Sequence, residues 1–299
     1  MGRRVVAIIN PVSGRRNMLP VVRRIGRLLQ DGGGEMQLEV TTRAGHATDL
    51  ASQAALTADA VLAVGGDGTV CEVVNGLIGR NIPIVILRTG TENLLAGELK
   101  MPTEPEQVAR TLLRGRPFPC DVGMVNGQCF LAVVGVGFDA ECVARMSQLR
   151  KGHITRWDYF WPIWRTFWAH RFPVIRIEAD NEVVFDGPGL AIIGGIGQYS
   201  AGMRILRHAR CDDGLLDLCV LPCRSKPALL GHAGRVFLGR HLDKARVLYR
   251  QCREICVSSD EKVPIEVDGE PGGFLPAVAT VLPSGTTFLQ DDESKVATN

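Results

Sequence analysis

A five-residue stretch, Gly65-Gly66-Asp67-Gly68-Thr69, carries the strongest chemical signal in this chain. An apolar run, Val61–Val64, precedes it, and Val70, Val73, Val74 and Leu77 follow at the spacing of one helix face. Glycines between a strand and a helix let a ligand approach the backbone. The helix N-terminus adds unpaired N–H groups and a partial positive charge. Such a turn suits phosphate. On this reading Gly65, Gly66 and Gly68 are free to take positive φ and carry no Cβ, Thr69 caps the helix or donates its hydroxyl to a phosphate, and Asp67 accompanies a cation such as nucleotide-bound Mg2+. The alternative is a tight turn whose glycines merely permit packing. Two common phosphate loops are excluded: Cys71 stands where GxGxxG requires glycine, and no Gly-Lys dipeptide occurs.

Two further carboxylate pairs stand out. Asp268-Gly269-Glu270 reads as a turn that projects two acids into one place, as a general base needs. Asp212-Asp213-Gly214 precedes the apolar run Leu216–Leu221. Taken alone, either tripeptide reads as an ordinary solvated turn. Polar groups also end the other apolar runs: Asn10-Pro11-Val12-Ser13-Gly14-Arg15, Thr41-Thr42, and Gly90-Thr91-Glu92-Asn93. In a parallel sheet all of these lie at the C-terminal edge, where open α/β folds bind ligands. Arg15 is a candidate for contact with a terminal phosphate or an ordinary solvated arginine.

The elements that must position these groups divide the chain. Over residues 1–118, β-branched runs alternate with helical periodicity, which predicts an α/β domain with a parallel, Rossmann-like sheet covered on both faces. Helices are expected at Leu19–Leu29, Ala47–Leu56, Val70–Leu77 and Leu94–Leu99. Beyond Pro117 and Pro119 the chain turns to short β-like runs, predicting a β-rich sandwich or barrel over residues 119–283. Asn126-Gly127 marks a hairpin, Asp180-Asn181 and Pro271-Gly272-Gly273 mark turns, and helical stretches fall at Asp139–Ala169 and Ala228–Leu238. Residues 284–299 read as a polar tail.

Bulk properties narrow the classes. With 299 residues and a net charge of +2, the chain is large enough for two domains and too weakly basic for a nucleic-acid scaffold. The nine cysteines lack metal or redox spacing, and the six histidines are scattered. No apolar window approaches a membrane span, and only five apolar residues precede Asn10, too few for a secretory core. A cytoplasmic location is the expectation.

NPVSGR at 10–15, GGDGT at 65–69, GTEN at 90–93, DDGLLDL at 212–218 and VDGE at 267–270 together resemble the diacylglycerol kinase catalytic-domain family. That family includes bacterial lipid kinases, sphingosine kinases and ceramide kinases, and the resemblance runs from about residue 5 to 282. It implies an NAD-kinase-like nucleotide-binding domain, a β-rich second domain and an active site in the cleft between them. By motif, ATP contacts fall on Asn10, Pro11, Val12, Ser13, Gly14, Thr41, Gly65, Gly66, Asp67, Gly68, Thr69, Val70, Cys71 and Thr91. A metal loop would take the Asp213 carboxylate with the backbone carbonyls of Arg210 and Leu215 on Mg2+. Glu270 would accept the proton, with Asp268 orienting it or sharing a metal with it. The implied activity is transfer of the γ-phosphoryl group of ATP to a lipid hydroxyl, diacylglycerol first, sphingosine or ceramide second. An NAD-kinase-type enzyme and a lipid-binding protein with a decayed site are the alternatives. The second draws on two departures from the family pattern, Cys71 in place of asparagine and Leu94 in place of aspartate; Gln198-Tyr199-Ser200-Ala201-Gly202-Met203 also departs from a glycine-rich segment of the family.

All four tryptophans lie within Trp157–Trp168. Ile154, Trp157, Phe160, Trp161, Trp164, Phe167 and Trp168 repeat at three- and four-residue steps, with Arg150, Lys151, Arg156, Arg165 and Arg171 around them. An aromatic face with basic flanks suits a membrane interface; a helix packed as core is the other reading. A peripheral enzyme meeting its lipid substrate at a membrane surface, and compatible with a homodimer, is the expectation.

Overall fold

A computed structural model describes residues 2–14, 17–89, 93–149, 160–199, 202–243 and 246–291. It divides the chain into two compact units: the chain up to Asp121 together with the chain from Pro283, and Val122–Leu282. The expected ATP contact Thr91, the candidate Arg15, Trp157 and Ser200-Ala201 lie outside the described residues.

The first unit alternates strand and helix: β1 (Arg4–Ile9), α1 (Leu19–Asp31), β2 (Glu35–Val40), α2 (His46–Ala54), β3 (Ala60–Gly65), α3 (Asp67–Leu77), β4 (Ile84–Arg88), α4 (Leu94–Glu98) and α5 (Pro105–Arg114). The strands pair in the order β2-β1-β3-β4, all parallel. β3 and nearly all of β1 are buried, as strands covered on both faces must be. Val5, Ala7, Ile9, Leu62 and Val64 face Val22, Ile25 and Leu29 of α1 and Val108 and Leu112 of α5. α2 and α3 pack against each other, α2 on β1 and α3 on β3. Helix α5, which buries Val108, Ala109 and Leu112, is not among the expected helices.

β5 (Arg116–Val125) leads into the second unit, followed by β6 (Gln128–Phe130), β7 (Val133–Val136), α6 (Phe138–Leu149), α7 (Phe160–Ala169), β8 (Val174–Ala179), β9 (Glu182–Gly194), β10 (Leu216–Pro222), α8 (Lys226–Phe237), β11 (Leu248–Cys252), β12 (Glu254–Ser258), β13 (Pro264–Val267), β14 (Glu270–Phe274) and β15 (Ala277–Gln290). The β5–β6 hairpin turns at Asn126 (φ 48°) and Gly127 (φ 83°), as the Asn-Gly signal predicts. Two antiparallel sheets share the long strand β9. Its first half pairs with β8, which continues through β12 to β15. Its second half lies between β7 and β10 in the order β14-β13-β7-β9-β10-β11. The expected runs Val183–Phe185 and Leu190–Ile193 are thus one strand, crossing between sheets at Gly187 (φ 153°) and Pro188. Ile175, Ile177, Ala191, Ile193, Leu218, Ile255 and Ile265 fill the sandwich core. On the outer face of the second sheet, Val133, Leu190, Ile192, Cys219 and Leu221 meet Leu229 and Val236 of α8 and Phe167 of α7.

Two expectations are corrected. Pro271-Gly272-Gly273 is not a turn; it lies in β14, where a Cβ on Gly272 would sit 2.5 Å from a Val267 methyl. Residues 284–290 are not tail; they finish β15, which joins the parallel sheet beside β4, with Phe288 opposite Ile84 and both Phe288 and Leu289 fully buried. No helix among the described residues is long and apolar enough to cross a membrane.

Candidate active site

In the first unit, β1, β3 and β4 run parallel, so Asn10, Gly66 and Thr89 emerge at one edge. Gly66 is the N-cap of α3, with φ −84° and ψ −177° and no side-chain cap on the helix. Asn10 ties this edge together. Its Nδ2 donates to Thr69 Oγ1 (3.0 Å), its Oδ1 accepts from the Val12 N–H (3.1 Å), and its own N–H donates to the Val64 carbonyl (3.0 Å). The hydroxyls of Ser13 and Thr89 lie 2.7 Å apart. Gly14, at φ 77°, crosses so close that a Cβ would stand 2.0 Å from the Thr89 carbonyl oxygen. Below, buried Asn93 donates to the Gly65 carbonyl (2.9 Å), and the Leu94 N–H donates to Asp67 Oδ2 (3.1 Å). The Glu72 carboxylate accepts from the N–H groups of Gly45 (2.8 Å) and Ala47 (3.1 Å), fixing the start of α2 to α3. Thr41 is buried, its N–H donating to the Ile9 carbonyl (2.9 Å).

The structure therefore brings Asn10–Gly14, Gly65–Thr69 and their supports to one rim, for reasons that differ from the sequence expectation. Gly65, Gly66 and Gly68 do not take positive φ. Gly65 is required because a Cβ there would lie 2.4 Å from that of Thr69, whereas Gly68 faces open space. Thr69 does not cap α3; its hydroxyl holds Asn10. Val70 offers neither side chain nor amide: it is core, and its N–H donates to the Gly66 carbonyl (3.1 Å). Val12 is exposed, with its N–H turned inward to Asn10. Cys71 is half-buried in the first part of α3.

In the second unit, Asp268 and Glu270 flank Gly269 in a turn where Asp268 (φ 49°) and Gly269 (φ 81°) are left-handed. The Asp268 carboxylate accepts from three consecutive N–H groups, of Leu131 (2.8 Å), Ala132 (2.9 Å) and Val133 (2.9 Å), and the Asp268 N–H donates to the Val133 carbonyl (2.9 Å). Enclosure pushes this carboxyl above the ordinary aspartate value, and the three amides pull it back. Asp268 is thus a staple for its turn, while Glu270 is exposed at the head of β14.

Arg210, Asp213 and Leu215 share a loop before β10. Asp213 is exposed; its Oδ1 accepts from the Leu215 N–H (3.0 Å), and its Oδ2 stands 3.4 Å from Gln251 Nε2. The Arg210 guanidinium pairs with Asp212 (3.0 and 3.2 Å). Gln251 Nε2 also donates to fully buried Asp217 (3.3 Å), which accepts from the Tyr249 hydroxyl as well. Burial raises the Asp217 carboxyl above its ordinary value. Among the described residues, no group of three His, Cys, Asp or Glu side chains is placed to hold a metal ion. A cation at this loop would rest on one carboxylate, backbone carbonyls and water, an all-oxygen set that fits Mg2+.

The sequence reading passed over Asn93 as a positioning group and missed Asp139 and Glu266 altogether. Glu266 is 1% exposed, on the outer face of β13 opposite Gly135. The signal was Gly135 itself, an isolated glycine within an apolar strand, which marks a close approach.

A family model described as "Diacylglycerol kinase catalytic domain" matches residues 4–125, and one described as "YegS C-terminal NAD kinase beta sandwich-like domain" matches residues 132–290, more than half the chain. The chain belongs to the diacylglycerol kinase family. The enzyme is therefore a phosphotransferase with an alcohol acceptor, and as a kinase it uses ATP. It is 30% identical over 286 residues to a diacylglycerol kinase of Staphylococcus carnosus (93% of this chain, 92% of that one). It is 29% identical over 279 residues to one of Bacillus subtilis (92% of each chain). A crystal structure described as a diacylglycerol kinase from Bacillus anthracis superposes with a TM-score of 0.76 at 23% identity, covering 97% of this chain and 98% of the other, and shows a shared fold.

Proposed function

We propose that this enzyme transfers the γ-phosphoryl group of ATP to the hydroxyl of diacylglycerol at a membrane surface. The observation that carries the reading is the N-terminus of α3. It is uncapped by any side chain, reached across the open face of Gly68, and braced by Asn10, Thr69 and Asn93. Amide N–H groups and the helix dipole there stabilise phosphate without a lysine. Asp67, in the first turn of α3, is the carboxylate we assign to the nucleotide's Mg2+. Glu270 accepts the proton of the acceptor hydroxyl, and Asp268 holds the turn that presents it. At the second loop, Asp213 with the carbonyls of Arg210 and Leu215 would hold Mg2+, which would offset negative charge there.

The acceptor follows from the names of the relatives and from α7. Trp161, Trp164 and Trp168 on this helix are 64%, 45% and 55% exposed, while Thr166 is fully buried and Phe167 packs on the sheet. One face of this helix is therefore core and the other is outward. The Lys226 ammonium of α8 stands 4.8 Å above the Trp168 ring, and Leu230 and Phe237 of α8 are exposed too. Residues 159–177 and 218–242 contain no Asp or Glu. An aromatic helix face whose own segment carries no carboxylate fits an anionic lipid interface.

The test is to incubate the purified protein with γ-labelled ATP and Mg2+ against micellar diacylglycerol, sphingosine, ceramide and free NAD. Label in phosphatidic acid is expected. Label on another acceptor, or on none, overturns the assignment.

A further inference from the structure

Behind the Glu270 turn lies a carboxylate pair that the phosphoryl transfer does not use. Glu266 and Gly135 are opposite one another on β13 and β7, and both face outward from the sandwich core, toward α6. Asp139 comes from the first turn of α6. A Cβ on Gly135 would stand 2.6 Å from Asp139 Oδ2 and 2.7 Å from Glu266 Oε1, so the two oxygens occupy the space that the missing side chain leaves. Glu266 Oε2 accepts from the Gly269 N–H (2.7 Å). Glu266 Oε1 is buried with no donor facing it. Its neighbour within hydrogen-bond reach is the Asp139 carboxyl, which also takes the Tyr199 hydroxyl.

Two carboxylates this close and this enclosed do not both ionise, and an unpaired buried oxygen is costly. We propose that Asp139 and Glu266 hold one proton between them, and that this singly protonated bridge positions the Asp268-Gly269-Glu270 turn. Glu266 Oε1–H donates to Asp139 Oδ2, and Glu266 Oε2 accepts from Gly269. Asp139, at a helix N-terminus and bonded by Tyr199, is the partner better able to keep the charge. The groups facing the pair favour retention of the proton. Asp268 lies across the turn, and Cys142 of α6 and Tyr199 are both pushed up, chiefly by burial and by Asp139. Burial raises both members of the pair; hydrogen bonds from Tyr199 and Glu266 pull Asp139 back, while the charge of Asp139 raises Glu266 further.

The consequence has a definite sign. Acids raised in the folded state bind protons that the unfolded chain has released. The stability they contribute is complete below the ordinary carboxylate range and is lost as pH rises through the raised values. The functional part of the inference rests on Glu270 as the base, so stability and turnover are read separately. Glu266→Gln keeps an acceptor for Gly269 and places an NH2 donor toward Asp139, mimicking the protonated acid. Glu266→Ala removes both bonds.

For the whole chain, we expect Tm to fall as pH rises above the carboxylate range and this slope to be clearly shallower in Glu266→Gln, what remains coming from other raised acids such as Asp217 and Asp268. Turnover in Glu266→Ala should fall at least about tenfold at unchanged KM for ATP, since an ångström of displacement at a catalytic group costs up to about 100-fold. Glu266→Gln should restore most of it. An infrared band of a protonated carboxylic acid should be present in the parent and absent from Glu266→Gln. A flat Tm profile in the parent, or Glu266→Gln as impaired as Glu266→Ala, overturns the shared proton. If Glu270→Gln keeps full turnover while the Tm slope behaves as expected, the base assignment fails and the proton pair stands.

Discussion

The two glycine turns of this kinase are built on opposite principles. At Gly65–Thr69 the supports sit beneath and beside the turn, and the α3 N-terminus carries no side-chain cap. At Asp268–Glu270 the carboxylate of Asp268 is held by three amides and the amide of Gly269 by Glu266. One turn is left open, as the proposed phosphate site requires; the other is closed, as the proposed base requires. Binding a charged ligand calls for unsatisfied donors, whereas a general base calls for fixed geometry.

The largest effect should come from the residue that the closed turn presents. Glu270→Gln preserves shape and removes the proposed proton acceptor, so kcat with micellar diacylglycerol should fall about 10²–10⁴-fold, the usual contribution of a positioned base. ATP binding, measured by calorimetry, should be retained. Turnover within a factor of a few of the parent would show that the closed turn serves structure alone. Asp268→Asn comes next. It turns one oxygen into an NH2 group facing amide donors, and urea unfolding should show a loss of about 2–4 kcal/mol, the penalty for stranding buried donors that a charged group had satisfied. An unchanged midpoint would mean that water reaches those amides.

A smaller loss is expected at Gly65 in the open turn. Gly65→Ala puts a methyl 2.4 Å from Thr69 Cβ and must displace the side chain that holds Asn10. Overpacking of this kind costs about 1–3 kcal/mol. ATP affinity should fall with stability, because the Asn10–Thr69 contact and the turn move together. If stability falls while ATP affinity does not, the rim is not the nucleotide site.

Much of this was legible in the sequence, and the failures share a cause. Val5–Ile9, Val61–Val64 and Ile84–Leu87 announce buried parallel strands because both faces are covered, which leaves no polar alternation to confuse. Asn126-Gly127 announces its hairpin because few residues accept two consecutive left-handed conformations. Pro271-Gly272-Gly273 misleads because local chemistry favours a turn, yet Gly272 is there to let β14 pass Val267. Glu266 looks like an ordinary outward residue between Ile265 and Val267. Only a second layer, α6 against the outside of the sheet, buries it, and no local pattern records that layer. At the candidate site, the strand–turn–helix junction at Gly65–Thr69 was readable, but the reason for each glycine was not. That reason lies in side chains such as Thr69 and in the Thr89 backbone, which only the fold brings close.

Gly68 offers the finest test, because it separates room for a ligand from room for the fold. Nothing lies within 4 Å of a Cβ built there, and its φ is not left-handed. Alanine in a helical position is favoured over glycine by up to about 1 kcal/mol, so Gly68→Ala should leave Tm unchanged or slightly raised. The open space beyond is where the phosphates must come if the helix N-terminus binds them, and a methyl group would hold them off. The KM for ATP should therefore rise several-fold in a protein at least as stable as the parent. Equal KM values would mean that the nucleotide approaches α3 from another side, and that the openness of this turn has some cause other than its ligand.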